Sequence, residues 1–255
     1  MSARGPVGRL RAPAEDHPGP GPRALARIAG LLYLLVAAFT IFAGVVNTRI
    51  VASGDAGATA DNIDASATLF RVGLVSELVG ATAFLMTAMT LYLLLRHVNQ
   101  LVAAAMVTVV AVSVAMQSLN LLNQNTALTV ATDQDYADAL GPAAADQLAL
   151  LFAGMQHDGY LIAQTYFGLW LLPLGYLVLR SGYFPKALGV LLVVGCCGHL
   201  TDVFARLLAP EFGASISAFA MTPAAVAEIS FILWLLIRAV PHPDTRPLAA
   251  ARSGT

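Results

Sequence analysis

Charged side chains are scarce in this sequence, and their scarcity excludes several classes of protein. Lys, Arg, Asp and Glu make up 11% of the 255 residues, whereas hydrophobic residues make up 58%, a balance far from that of soluble domains. The formal net charge is -1, and no Lys- and Arg-rich stripe with interleaved aromatic residues is present. We therefore expect no nucleic-acid partner.

Recognisable catalytic motifs are also missing. We find no GxSxG, no P-loop, no GxGxxG that opens a βαβ unit and no CxxC, which weakens the case for an enzyme. The two cysteines, Cys196 and Cys197, are adjacent in an apolar segment. Helical geometry points them about 100° apart, so they cannot chelate one metal together or form an ordinary disulfide. We interpret both as packing residues, and we expect no cofactor.

Long apolar stretches are what the sequence has in abundance. Six of them approach the roughly 20 residues that a helix needs to cross the ~30 Å hydrocarbon core of a bilayer. They lie at residues 26–46, 72–95, 101–123, 159–179, 187–208 and 217–237. We predict an all-α fold, a polytopic membrane helix bundle with six transmembrane helices within residues 25–239. The lipid bilayer is its expected partner. No strict GxxxG motif lies in a predicted span, so the sequence gives no specific argument for dimerisation through helices, and the oligomeric state is not predicted.

Basic residues are concentrated at one end of these predicted spans. Of the 14 Lys and Arg residues, only Arg49, Arg71 and Arg206 fall at the other end, together with most of the loop carboxylates. Because basic residues of short loops favour the cytoplasmic side, we predict a cell-membrane protein with both termini cytoplasmic. Residues 1–24 and 240–255 are predicted to be disordered cytoplasmic tails, and no cleavable signal peptide is expected.

Four ionisable residues fall inside the predicted spans, where each costs roughly 3 kcal/mol or more and needs a partner or a purpose. Their depth along the helices places His199 and Glu228 near the bilayer midplane, and Glu77 and Asp202 in the outer half. His199, Asp202 and Arg206 share one helix face, so we expect Asp202 to contact both the imidazole and the guanidinium.

Glu77 and Glu228 have no polar neighbour three or four residues away in the sequence. Their partners must therefore be water or side chains on other helices. A carboxylate without a local partner near the midplane is also a candidate for reversible protonation. A metal site formed by His199, Asp202 and Glu228 is conceivable, but no HExxH-like spacing supports it, and we predict none.

Two interpretations of these groups remain open. In the structural one, Asp202–Arg206 and either Glu77–Arg71 or Glu77–Arg206 are charge pairs that fix helix register. In the functional one, the groups line an outward-facing cavity that holds a small polar or cationic ligand or relays protons. The candidate site consists of Glu77, His199, Asp202, Arg206 and Glu228, with Arg71, Gln117, Asn120 and Gln164 as supporting polar residues.

Two further features concern local helix geometry. Leu148, Leu151, Phe152 and Met155 recur with helical spacing after Gly141-Pro142. This pattern indicates either a short helix on the outer surface or an extension of span four out of the membrane. Pro173 and Pro223 predict kinks in spans four and six, because each removes a backbone donor.

Several sequence blocks resemble a family of uncharacterised multi-pass bacterial membrane proteins, domain of unknown function 4386. The blocks are ARIAGLLYL at 26–34, LFR at 69–71, LYLL at 91–94, FGLWLLPLGYL at 167–177 and RSGYFPKALGVL at 180–191. The resemblance implies a six-helix integral membrane protein and brings no known activity or catalytic residue. Relatives tend to have an aromatic residue where this chain has His199.

The sequence therefore predicts an integral membrane protein with an intramembrane polar cluster. A structural or regulatory role is the first hypothesis. The alternative is a transporter or small-ligand-binding protein that uses Glu77, Asp202 and Glu228. A membrane-embedded enzyme is the third.

Overall fold

The computed structural model describes residues 20–238, which form helices and no strand. Most of the predicted tail at 1–24 and all of the tail at 240–255 lie outside the described residues. The helices are α1 (Pro22–Ile50), α2 (Ala56–Ala65), α3 (Ala67–Leu95), α4 (Gln100–Thr132), α5 (Gln134–Leu140), α6 (Pro142–Leu169), α7 (Leu171–Ser181), α8 (Lys186–Leu208) and α9 (Pro210–Leu233), followed by a π-helical turn at Trp234–Arg238.

Within residues 20–238, six helical segments are long and apolar enough to cross a membrane. They are Pro22–Ile50, Ala67–Leu95, Gln100–Thr132, Pro142–Ser181, Lys186–Leu208 and Pro210–Arg238. Each predicted span lies within one of them, so the all-α polytopic bundle is confirmed. We call the end of the bundle that carries α2 and α5 the outer end, after the predicted orientation, and the opposite end the inner end.

Local features at the helix ends form the tight connections between the long helices at the inner end. Asn99 accepts a hydrogen bond from the Val102 backbone N–H at 3.1 Å and so caps the start of α4. Gly182 adopts a left-handed conformation with φ of 70° and ends α7, a common use of glycine at a helix C-terminus. Both features make tight turns at the inner end.

The segment after Gly141-Pro142 is an extension of span four, because α6 runs without interruption from Pro142 into the bundle. The buried face of α6 differs from the apolar face predicted from the spacing of Leu148, Leu151, Phe152 and Met155. Ala145, Ala149 and Ala153 are buried, whereas Leu151 and Met155 are exposed. Small side chains allow α6 to approach its neighbours α2 and α4 closely.

Span four is interrupted at Trp170, between α6 and α7. Pro173 has no N–H to donate to the Leu169 carbonyl, which explains why the helix breaks at this level. In contrast, α9 continues through Pro223 as one helix. The predicted kink at Pro173 therefore coincides with a break in the helix, whereas α9 has no break at Pro223.

Two apolar clusters separate the bundle into levels. The larger cluster fills the inner half and includes Tyr33, Phe84, Trp170 and Phe231. The smaller outer cluster is built from Val46, Ile50, Ile63, Phe70, Ala127, Leu128 and Ala153. Polar side chains of the predicted site lie between these two levels.

The long helices pack in sequence, α1 on α3, α3 on α4, α4 on α6, and α7 and α9 on α8. The last segment returns to α1 at the inner end, where Gly30 approaches Leu235 and Leu236 so closely that a Cβ would lie 2.9 Å from the Leu236 side chain. Above this contact α1 stays packed against α3, and another face of α1 lines two cavities. These cavities are where the polar side chains become accessible.

Candidate functional site

Glu77 on α3 receives its hydrogen bonds from two other helices. Asn47 Nδ2 on α1 donates to Glu77 Oε1 at 3.0 Å. Gln156 Nε2 on α6 lies 3.4 Å and 3.5 Å from the two carboxylate oxygens. Neither Arg71 nor Arg206, both within the described residues, forms an ion pair with Glu77. All of the hydrogen-bond donors assigned to this carboxylate are therefore neutral amides.

A second layer of amides orients the Glu77 partners. Gln124 Nε2 donates to Asn47 Oδ1 at 3.2 Å. Asn120 Nδ2 donates to the Gln156 backbone carbonyl at 2.7 Å and accepts from Asn123 at 3.0 Å. This approach is close because Asn120 faces Gly159, where a Cβ would overlap its side chain. The amides of α4 thus hold α1 and α6 at fixed positions around Glu77.

Asp202 on α8 does have a cationic partner. Arg206 Nε donates to Asp202 Oδ1 at 3.3 Å, and Gln164 Nε2 donates to Asp202 Oδ2 at 2.9 Å. Arg206 Nη2 also donates to Ser217 Oγ on α9 at 2.8 Å. The expected contact of Asp202 with Arg206 is present. This network ties α6, α8 and α9 together.

Glu228 on α9 lies between a phenol and an imidazole. Tyr33 Oη on α1 donates to Glu228 Oε2 at 2.5 Å, and His199 Nε2 on α8 lies 3.1 Å from Glu228 Oε1. The expectation that His199 pairs with Asp202 is wrong, because its ring bonds across to α9 instead. His199 Nδ1 is buried without a partner.

Two adjoining cavities open beside these carboxylates. The outer cavity has a volume of about 280 Å³ and is lined by Glu77, Gln117, Gln156 and Arg206, among others. The central cavity, of about 340 Å³, lies deeper and is lined by Glu228, His199 and mostly apolar side chains. Thr40, Tyr160 and Gln164 line both cavities.

The sequence-predicted residues thus fall into three groups instead of one cluster. Glu77, Gln117 and Asn120 belong to the outer amide-rich region, Asp202, Arg206 and Gln164 to the ion-pair network, and His199 and Glu228 to the central cavity. Arg71 is exposed and lines neither cavity. Within residues 20–238 no three His, Cys, Asp or Glu side chains lie close enough to hold a metal ion.

Three polar partners of Glu77 and Glu228 were not predicted from the sequence. Asn47 follows the end of the first apolar stretch, and Gln156 precedes the start of the fourth, so both lie outside the predicted spans. Tyr33 lies within an apolar stretch, and no sequence pattern indicates that its hydroxyl binds a carboxylate. Helices that continue past their apolar stretches bring Asn47 and Gln156 to the same depth as Glu77.

We predict that Tyr33→Phe lowers the free energy of unfolding by about 1–3 kcal/mol, because it removes a buried hydrogen bond to a carboxylate. Thermal denaturation of the purified protein in detergent measures this effect. Tyr92→Phe is the matched control, since the Tyr92 hydroxyl takes part only in an exposed 3.4 Å contact with Gln100. Its effect should stay within about 0.5 kcal/mol, and equal losses in the two variants would contradict the assignment.

Comparisons with known proteins place the chain by family. No solved structure matches it. An uncharacterized protein of Archaeoglobus fulgidus is 31% identical over 77 residues, which are 30% of this chain and 44% of that protein, so the chain spans less than half the length of that relative. The family model described as "Domain of unknown function (DUF4386)" matches residues 28–239, which include nearly all of the six membrane-spanning segments. The chain is therefore a member of the DUF4386 family of multi-pass membrane proteins, whose function is unknown.

Proposed function

We propose that this membrane protein binds a small polar cation in the outer cavity, and that the positive charge of that cation pairs with the Glu77 carboxylate. The observation that carries the proposal is the position of Glu77. It lines a cavity of about 280 Å³ and has only neutral amides as partners.

Glu77 and Asp202 differ in whether a cation offsets the cost of their charge. A carboxylate at membrane depth is costly, and a purely structural carboxylate is expected to recover that cost from a cation. Asp202 meets this expectation through Arg206. Glu77 does not, although the structural interpretation required its pairing with Arg71 or Arg206. A glutamine at position 77 would satisfy Asn47 and Gln156 without the cost of the charge, so the charge itself requires another explanation.

The lining of the outer cavity suits a compact ligand that both donates and accepts hydrogen bonds. Gln117 and Gln156 offer amide groups of both kinds, and Thr40 and Thr48 offer hydroxyls. Arg206 also lines this cavity, but Asp202 and Ser217 already accept two of its hydrogen bonds. The ligand's positive charge would therefore face Glu77, and its neutral polar part would face the amides.

A structural role fits the Asp202 network separately. Its hydrogen bonds connect α6, α8 and α9, so it holds the wall of the cavity in place. We propose that the bundle combines a structural ion pair with a ligand-binding carboxylate.

We further propose that both termini face the cytoplasm, so that the outer cavity faces the outside of the cell. The support is the charge distribution, in which 11 of the 14 basic residues lie at the inner end or in the terminal segments. In this orientation α2 and α5 lie on the external surface. A ligand would then reach Glu77 from the external medium.

Ethanolammonium should raise the melting temperature of the parent protein, because its ammonium group can bind the Glu77 carboxylate. At about 100 times its Kd the stabilisation would be roughly 2.7 kcal/mol. Ethylene glycol, which replaces the ammonium with a hydroxyl, should have no such effect. Glu77→Gln should abolish the shift, whereas Glu211→Gln, a change at an exposed carboxylate outside both cavities, should retain it.

Equal stabilisation of the parent protein and Glu77→Gln by ethanolammonium would contradict the proposal. So would the same stabilisation by ethylene glycol, because binding would then not depend on charge. The titration should be repeated at high salt, where a cavity-bound charge pair is screened less than a surface pair.

The proposed orientation predicts which engineered cysteines are labelled in intact cells. Ala139→Cys lies in exposed α5 at the outer end, and Ala187→Cys lies at the exposed start of α8 at the inner end. A membrane-impermeant maleimide should label the first variant in intact cells and the second only after lysis. The reverse pattern would show that the protein has the opposite orientation.

A further inference from the structure

The central cavity combines a carboxylate with a hydrophobic lining. Glu228 has a side chain that is 27% exposed and lies beside His199 and Tyr33. Most of the remaining lining is apolar and includes Val36, Ala37, Ile229, Ile232, Phe167 and Trp170. This composition differs from that of the amide-rich outer cavity, so the two cavities suit different ligands.

Two side chains from other helices contact the Glu228 carboxyl group. The Tyr33 O–H donates to one oxygen at 2.5 Å. His199 Nε2 contacts the other oxygen, while its Nδ1 is buried without a partner.

Within the described part of the chain, no lysine or arginine forms an ion pair with Glu228. Arg206 lines the outer cavity and is bound to Asp202 and Ser217. Of the other carboxylates, Asp202 is the partner of that arginine, and Glu77 is bound by neutral amides. The central cavity therefore holds a carboxyl group whose partners are a tyrosine and a histidine, with no lysine or arginine bound to it.

Aromatic rings in contact with one another form a wall of the same cavity, and Tyr33 in this wall donates to Glu228. Trp170 packs edge-on against Tyr33 and Phe84, with ring centroids 5.5 Å and 5.0 Å apart. Phe167 continues the series, 5.4 Å from Phe84 and 5.9 Å from Tyr160. Aromatic faces attract organic cations, and aromatic cages commonly bind quaternary ammonium groups.

The mouth of the central cavity lies between α1 and α9 at the depth of the membrane. Ile41 and Ile229 line the cavity and are exposed on the outside of the bundle, at 66% and 57%. The two helical segments meet below this level, where Gly30 contacts Leu235 and Leu236. A ligand can therefore reach Glu228 from the hydrocarbon region of the bilayer.

We infer that the central cavity binds a hydrophobic organic cation that enters from the bilayer between α1 and α9. Its charged nitrogen lies between the Glu228 carboxylate and the aromatic wall, and its apolar part contacts Val36, Ile229 and Ile232. This inference goes beyond the outer-cavity function, because it concerns a different carboxylate, a different entrance and a more hydrophobic ligand class.

Benzyltrimethylammonium is a suitable probe, since it carries a quaternary ammonium and one aromatic ring. Isothermal titration of the full chain in lipid nanodiscs should show saturable binding of this probe. Glu228→Gln should weaken the affinity at least about tenfold, as expected from the loss of one charged interaction. Benzyl alcohol, its neutral counterpart, should not show binding that depends on Glu228.

A second variant tests the entrance without removing the charge. Ile229→Trp places a larger side chain at the mouth and should also weaken binding. Leu119→Trp is its control, because Leu119 on α4 is 68% exposed and lines neither cavity. Each variant must first elute as the parent protein does and retain its helical circular dichroism.

Saturable binding that survives both Glu228→Gln and Ile229→Trp would overturn the inference, as would an absence of saturable binding to the parent protein. Loss of binding in Glu228→Gln and Ile229→Trp, with retention in Glu211→Gln and Leu119→Trp, would support it. The outer-cavity proposal is tested separately, with ethanolammonium and Glu77→Gln. Either proposal can therefore fail without affecting the test of the other.

Discussion

The need to satisfy carboxylates at membrane depth organises this bundle. Lipid offers no hydrogen bonds, so each carboxylate must find donors on neighbouring helices. Asp202 uses an arginine, Glu228 uses a phenol and an imidazole, and Glu77 uses two amides. These hydrogen bonds connect helices that are distant in the sequence. Glu77 and Glu228 each line a cavity.

Close packing on α8 allows this arrangement. Gly168 lies against His199, and Gly198 lies against the Ala220 backbone carbonyl so closely that a Cβ would overlap it. Gly195 similarly approaches Ala224. The absence of side chains at these glycines brings α6, α8 and α9 together and sets the distance between His199 and Glu228. Meanwhile α1 meets the last helical segment at the inner end and lines both cavities above it. The bundle is thus tightly packed where α8 meets α6 and α9, whereas the cavities lie beside α1.

Hydropathy was sufficient to predict the six membrane-spanning helices, because an apolar stretch of that length has few alternatives to a helix. The same reasoning placed the start of span four near residue 159, whereas α6 begins at Pro142. Helix propensity and an alanine-rich face extend the helix beyond its hydrophobic part. That extension puts Gln156 beside Glu77, a contact between residues 79 positions apart.

Spacing along one helix predicted the Asp202–Arg206 pair, since residues four apart are neighbours on a helix. It could not decide between Asp202 and Glu228 as the partner of His199, because that depends on how α9 packs against α8. Tyr33 and Glu228, separated by 195 positions, illustrate the same limit. Contacts within a helix follow from sequence spacing, whereas contacts between helices depend on rotation and depth.

We infer that Asp202 carries a structural charge and Glu77 a functional one. The free energy of unfolding of Asp202→Asn and Glu77→Gln, measured without any added cation, separates these two roles. Asp202→Asn should lower the free energy of unfolding by about 2 kcal/mol through loss of the ion pair, whereas Glu77→Gln should leave it unchanged or raise it. A loss in Glu77→Gln as large as that in Asp202→Asn would show that Glu77 is part of the structural framework.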